Sequence, residues 1–252
     1  MRKVLTVLLV GSLFLVLASC GKSSTRSFVR IVNASPDAGS IDITINGNKV
    51  LSGAAYGSGS NYFTVAPGTN IDFKIDTTGT NPIHFDTKIG LVDKSYYTIA
   101  AVGLTASPST FTILQTVDDH SSPGSGDMKI RVLQLDPIFH VNPGDVGPVD
   151  AYVTIPTATL NHTPPNPNFP DVAFQVPTSF VSVPVPTTDG NLRIRVAPAS
   201  VTGDTDPDHT NLLGWDSQTV TFKAGQVRTY VLLNNTTGTP YPNQSLMLKD
   251  LN

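Results

Sequence analysis

A chain of 252 residues with 19 acidic residues, every one of them Asp, and five histidines offers a narrow set of acids, bases and ligands. Without Glu there is no H-E-x-x-H zinc site, no Glu base of the deaminase type and no bidentate twelfth residue for an EF-hand loop. His84, His120, His140, His162 and His209 are far apart and show no ligand spacing, and the last four fall in loop-like sequence. Structural or solvated roles are expected for all five. No G-x-S-x-G elbow occurs, and Gly57-Ser58-Gly59-Ser60 lacks both the third glycine and the following helix of a dinucleotide fingerprint. It reads as a flexible strand connection. Paired Asp residues serve glycosidases, but scattered Asp is routine on β-surfaces. No catalytic residue is therefore assigned, no cofactor is expected, and the chain is read as no enzyme.

Two weaker constellations remain. In Gly203-Asp204-Thr205-Asp206-Pro207-Asp208, alternate carboxylates at Asp204, Asp206 and Asp208 present hard oxygens suited to Ca²⁺. The loop lacks Gly at its sixth position and carries Trp215 at its twelfth, so a solvated turn is the default. Trp215 beside that loop, and Phe169 at the end of the Pro-rich stretch 159–170, are aromatics placed where loops of a β-sandwich bind sugars or peptides. The plain alternative is that both plug a hydrophobic core.

The single cysteine has the clearest chemistry. Met1, Arg2 and Lys3 precede an apolar run from Val4 to Ala18, the charged and hydrophobic regions of a signal peptide. The run is shorter than the ~20 residues of a membrane-spanning helix. Leu17-Ala18-Ser19-Cys20 then resembles the bacterial lipobox, which implies cleavage before Cys20 and acylation of its thiol and new amino terminus. With one cysteine there is no intramolecular disulfide, and acyl chains contribute about 0.8 kcal/mol per buried methylene to anchoring. Gly21, where an Asp resembles an inner-membrane retention signal, favours an outer-membrane address in a diderm cell. The processed chain keeps 14 basic and 19 acidic residues, a formal charge of −5, which argues against nucleic acid as a partner.

These residues need a scaffold. Gly and Pro, 20 each, punctuate short apolar runs, and no 3.6-residue periodicity persists beyond the signal. The chain reads as all-β. Ile41, Ile43 and Ile45 alternate with polar residues, as do Ile71, Phe73 and Ile75, so each strand is expected to have one buried and one wet face. Asn46-Gly47 is a type I′ hairpin signal, and Pro67-Gly68 a turn.

The chain also matches itself. VRIVNASPD (29–37) aligns with IRVLQLDP (130–137), SIDITI (40–45) with PVDAYV (148–153), AYGSGSNYFTV (55–65) with AFQVPTSFVSV (173–183), IDFKI (71–75) with LRIRV (192–196), and SYYTIAAV (95–102) with QVRTYVLL (226–233). The polar stretch 118–127 between the copies has linker composition and allows independent motion. The expected organisation is a signal peptide at 1–19, a lipidated tether at 20–26, β-sandwiches at 27–117 and 128–252, and the linker between them. Arg30 and Asp42, with Arg131 and Asp150, recur at matched positions and suggest a cross-strand ion pair in each copy. Tyr56, Tyr62, Phe174 and Phe180 recur as packing residues.

The run Val29 to Asp37, Asp42 on the next strand, and Tyr56, Gly57, Tyr62, Val65, Pro67 and Gly68 together resemble the family called domain of unknown function 4397, common in bacterial surface lipoproteins. The second copy keeps Arg131, Pro137, Asp150, Phe174 and Phe180. The resemblance implies tandem immunoglobulin-like β-sandwiches and no activity. The expectation is a lipid-anchored cell-envelope protein acting by adhesion, ligand binding or structural spacing, its partners the membrane and a glycan or envelope protein. The alternatives are a glycan-binding or glycan-uptake accessory protein and a hydrolase on a sandwich scaffold.

Overall fold

The computed structural model describes residues 25–137, 148–158, 167–199, 215–233 and 244–251. Its strands are β1 (Ser27–Asn33), β2 (Ile41–Ile45), β3 (Asn48–Ala54), β4 (Phe63–Val65), β5 (Gly68–Thr77), β6 (His84–Leu91), β7 (Tyr96–Val102), β8 (Thr112–Asp118), β9 (Asp127–Gln134), β10 (Val149–Thr154), β11 (Phe169–Val172), β12 (Val181–Pro184), β13 (Asn191–Pro198), β14 (Trp215–Thr221), β15 (Val227–Leu233) and β16 (Gln244–Leu251). They form four sheets ordered β4-β1-β7-β8, β3-β2-β5-β6, β12-β9-β15-β16 and β11-β10-β13-β14. Adding eight to each strand number of the first pair gives the second pair. The all-β, two-sandwich expectation holds, and β1 runs parallel to β7 as β9 does to β15.

Each sandwich closes on its own core. Val29, Ile31, Ile43, Phe73 and Ile99 pack between the first two sheets, and Met128, Ile130, Val132, Ile194 and Tyr230 between the second two. The Asn46-Gly47 hairpin forms as read, with φ of 48° and 77°.

The alternation read for β2 and β5 holds, with their Ile and Phe73 side chains buried, whereas the sheets of β1 and β9 are covered on both faces. Val32, Ala100 and Val102 from one half meet Leu133, Val231 and Leu233 from the other in a third apolar cluster. The two inner sheets are thus buried on both faces, and the four sheets stack as four layers. This is why β7 and β15 read as near-continuous apolar runs, TIAAV and TYVLL.

The connections are also firmer than their composition suggests. Asp118 ends β8 and is buried; in the stretch that follows, Asp119 pairs with Lys129 at 2.8 Å. The Gly57–Ser60 stretch is docked on β1, with Gly57 N–H donating to Asn33 O (2.9 Å) and Ser60 N–H to Ile31 O (2.9 Å). A Cβ on Gly59 would come within 2.6 Å of Leu248 Cδ2, so glycine there permits the close approach of β16.

Left-handed positions recur in both copies with different residues. Gly57 (φ 70°) corresponds to Gln175 (φ 60°), and Gly53 (φ 67°) to Asp171 (φ 52°). A side chain in this region costs about 1–2 kcal/mol, partly offset by the entropy that glycine loses on folding. Gln175→Gly is expected to raise unfolding stability by up to about 1 kcal/mol, whereas the reverse swap, Gly57→Gln, whose Cβ would sit 2.7 Å from Gln244 Nε2, lowers it; urea unfolding of both variants reads the difference.

Candidate functional site

The principal constellation of charged groups lies at the seam between the two inner sheets. Arg30 does not pair with Asp42, because β1 and β2 belong to different sheets. The same separation of β9 from β10 keeps Arg131 from Asp150. Each arginine instead reaches across the seam. Arg30 Nη2 donates to Asp250 Oδ1 (2.5 Å) and Nη1 to Lys249 O (3.1 Å), while its Nε donates to Thr98 Oγ1 (2.8 Å). Arg131 Nη2 donates to Asp118 Oδ1 and Nη1 to Val117 O (2.9 Å), while its Nε donates to Thr229 Oγ1 (2.9 Å). Thr98 in turn donates to Asp118 (2.7 Å) and Thr229 to Asp250 (2.9 Å). Arg30 lies 4.8 Å from the ring of Tyr62, and Arg131 4.7 Å from that of Phe180.

These contacts occur twice in a pseudo-twofold arrangement, to which Arg131 Nη1 adds a bond to Thr116 Oγ1 (2.8 Å) where the matching position on β16 is Leu248. Two guanidinium and two carboxylate groups, all with side chains at most 2% exposed, make a neutral quartet. Burial pushes the Asp250 carboxyl above its ordinary range, with Arg30 and Arg131 opposing. Burial likewise raises the Tyr62 hydroxyl, which donates to Asp118 at 2.6 Å. The match of β8 to β16 that completes the quartet has a faint signature in sequence, the shared L-x-x-x-D of Leu114–Asp118 and Leu246–Asp250.

Asp42 does a local job. It accepts from Lys49 Nζ (2.6 Å), Gly53 N–H (2.8 Å) and Ser52 Oγ (2.8 Å), which hold its carboxyl down at about 2. Asp150 accepts from Asp171 N–H (2.9 Å), the equivalent backbone contact. Asn33 bonds Gly39 O and Ala54 O, and Asp37 accepts from the N–H groups of Thr105 and Ala106, so the VRIVNASPD motif fastens loops at the β1 exit.

Phe169 is corrected by the structure: it is 2% exposed within the second core, with no aromatic face offered to solvent. Trp215 opens β14 with its backbone opposite Val196. Cys20, Asp204, Asp206 and Asp208 lie outside the described residues, as do His140, His162 and His209.

Two histidines sit in opposite environments. His84 lies exposed on β6 between Asp76 and Asp86, and its hydrogen bond to Asp76 holds it above the ordinary 6.5. His120 follows β8, stacks on Tyr96 at 3.5 Å and meets the edge of Tyr62; burial holds it below 6.5, with Asp118 and Asp119 opposing.

Removing one partner of the quartet leaves a buried charge, so Asp250→Leu and Arg30→Met alone should each cost about 3–5 kcal/mol. The double variant should cost far less than their sum, a coupling that a denaturation cycle measures. In proton NMR titrations, His84 should titrate above 6.5 and His120 below it. By linkage, the His84 contribution to stability is present at low pH and fades as pH rises through its folded value, while the cost of charging His120 appears as pH falls below 6.5.

No curated protein matches the chain. Nine chains of known structure do match. One of them, reported as "Alpha-glucan binding by a streptococcal virulence factor", is 12% identical over 81% of this chain and 92% of its own, with a TM-score of 0.23, a superposition too loose to bear on function. Residues 27–142, which span the first sandwich and the start of the second, match the model of the domain of unknown function DUF4397.

Proposed function

We propose that this protein is a non-catalytic module of the bacterial cell envelope, anchored through acyl chains on Cys20 and serving as a rigid spacer that presents its outer loops for adhesion or ligand binding. The observation that carries the proposal is the seam. A neutral hydrogen-bonded quartet inside an apolar interface resists both sliding and hinging of the two sandwiches, because any displacement strands a buried charge. Two rigidly joined sandwiches suit a spacer better than a clamp that must open and close around a substrate.

The sequence supports the anchor, with a signal-like segment before Cys20, no other cysteine and a short polar tether after it. The burial of Phe169 removes half of the aromatic pair on which the glycan-binding alternative rested. The test is Cys20→Ala in the native host. It is expected to abolish incorporation of a clickable fatty acid and to move the chain from the membrane to the soluble fraction with its fold intact; a wild-type chain that takes up no acyl label overturns the anchor.

A further inference from the structure

The strand directions put all ends near the tether on one side of the molecule. β1 starts at Ser27, whose neighbours in the sheet are Val65 and the segment before Tyr96, and Tyr96 faces Asp118, where β8 ends. The quartet aligns the second sandwich with the first, so Asp127, Val227 and Leu251 lie at this same end. Gly225 N–H bonds Asp127 O, and Val185 N–H bonds Gly126 O, which adds the turns 222–226 and 185–190. Gln175 N–H, by contrast, bonds Gln134 O at the opposite end.

The described large apolar residues left exposed are Val50, Val92, Val117, Ile155 and Val176. Val92 (65%), Val117 and Ile155 all belong to the tether end. Val92 projects from the turn before β7, its carbonyl accepting from Ser27 Oγ (2.7 Å); on the adjoining strands the half-buried rings of Phe28 and Tyr96 stack at 4.4 Å, with His120 also stacked on Tyr96. Ile155 follows β10 and borders a depression shared with Pro186, Thr188 and Asp189. Lys94 and Lys223 are exposed on equivalent turns there, and the same end carries Asp93, Asp127, Asp189 and the Asp119–Lys129 pair.

We propose that this end of the four-layer stack rests on the bilayer interface, with Val92, Ile155 and the Phe28–Tyr96 stack at headgroup depth, Lys94 and Lys223 beside lipid phosphates, and the strands standing along the membrane normal. The proposal rests on the lipid anchor. From Cys20 to Ser27 the seven tether residues span at most about 25 Å fully extended, so this end is held within reach of the surface. Aromatic side chains with a polar tip and basic residues are the types that interfaces retain. Embedding a few apolar side chains adds orientation to an attachment that the acyl chains already secure.

The test uses the full acylated chain in vesicles of phosphatidylethanolamine and phosphatidylglycerol. Acylation consumes the natural thiol, so Val92→Cys, or Val176→Cys at the opposite end as reference, supplies the sole site for an environment-sensitive fluorophore. Expected is a blue-shifted emission at position 92 that lipid-borne spin labels quench several-fold more strongly than emission at position 176, and that Lys94→Asp with Lys223→Asp diminishes. Equal quenching at both positions, or none at either while the protein floats with the vesicles, overturns the docking and leaves the anchor standing. A chain that fails to float overturns the anchor instead.

Discussion

The structure depends on how two arginines and two aspartates are accommodated in a dry interface between sheets. An ionised side chain moved from water to a protein interior costs several kcal/mol unless its charge and its hydrogen-bonding capacity are both met. Here each guanidinium has a carboxylate across the seam, a backbone carbonyl beside it and a threonine hydroxyl on its own sheet. Such a quartet contributes little net stability compared with apolar residues of similar volume. Its effect is on geometry, since only one register of one sheet on the other satisfies all four groups at once. The surrounding Val, Ala and Leu residues supply the driving force, and the charges select the arrangement.

Pseudo-symmetry explains which features are structural and where the halves have diverged. Repeated elements such as the Arg–Thr–Asp sets, the ring over each arginine and the Asp42 and Asp150 turns serve folding in both copies. The differences are local. Tyr62 adds a hydroxyl to the seam where Phe180 has none, and His120 is wedged against the first sandwich. The exposed charge ladder on β5 and β6, where Lys74 and Lys88 alternate with Asp72 and Asp86, contrasts with the matching face of the second half, where Tyr152, Arg195 and Ala197 are buried. Burial there pushes the Tyr152 hydroxyl up to about 12.

A double sandwich concentrates variation at the ends of its strands. Stiff sheets fix where loops begin, and loops can change length and chemistry without disturbing the layers beneath them. The second half departs most from the first in the segments between strands, where its sequence carries the added stretches 140–147 and 159–170.

The amino-acid pattern by itself determined the all-β class, the two copies, the matched strand pairs and the Asn46-Gly47 hairpin, because these follow from two-residue alternation, turn chemistry and self-similarity, all local in the chain. It also singled out Arg30 and Arg131 as a matched pair. Their partners were another matter. Asp42 and Asp150 are near in sequence and were the natural choice, but strand order sends β2 and β10 to different sheets from β1 and β9. Asp250 lies 220 positions from Arg30, and the L-x-x-x-D shared by β8 and β16 marks the two aspartates as equivalent without saying which arginine each meets. The same holds for Phe169, whose place at the end of a Pro-rich stretch suggested a loop tip but whose strand carries it into the core. Burial on both faces of a sheet, and the partner of a buried charge, are properties of how layers stack, and only the tertiary structure decides them.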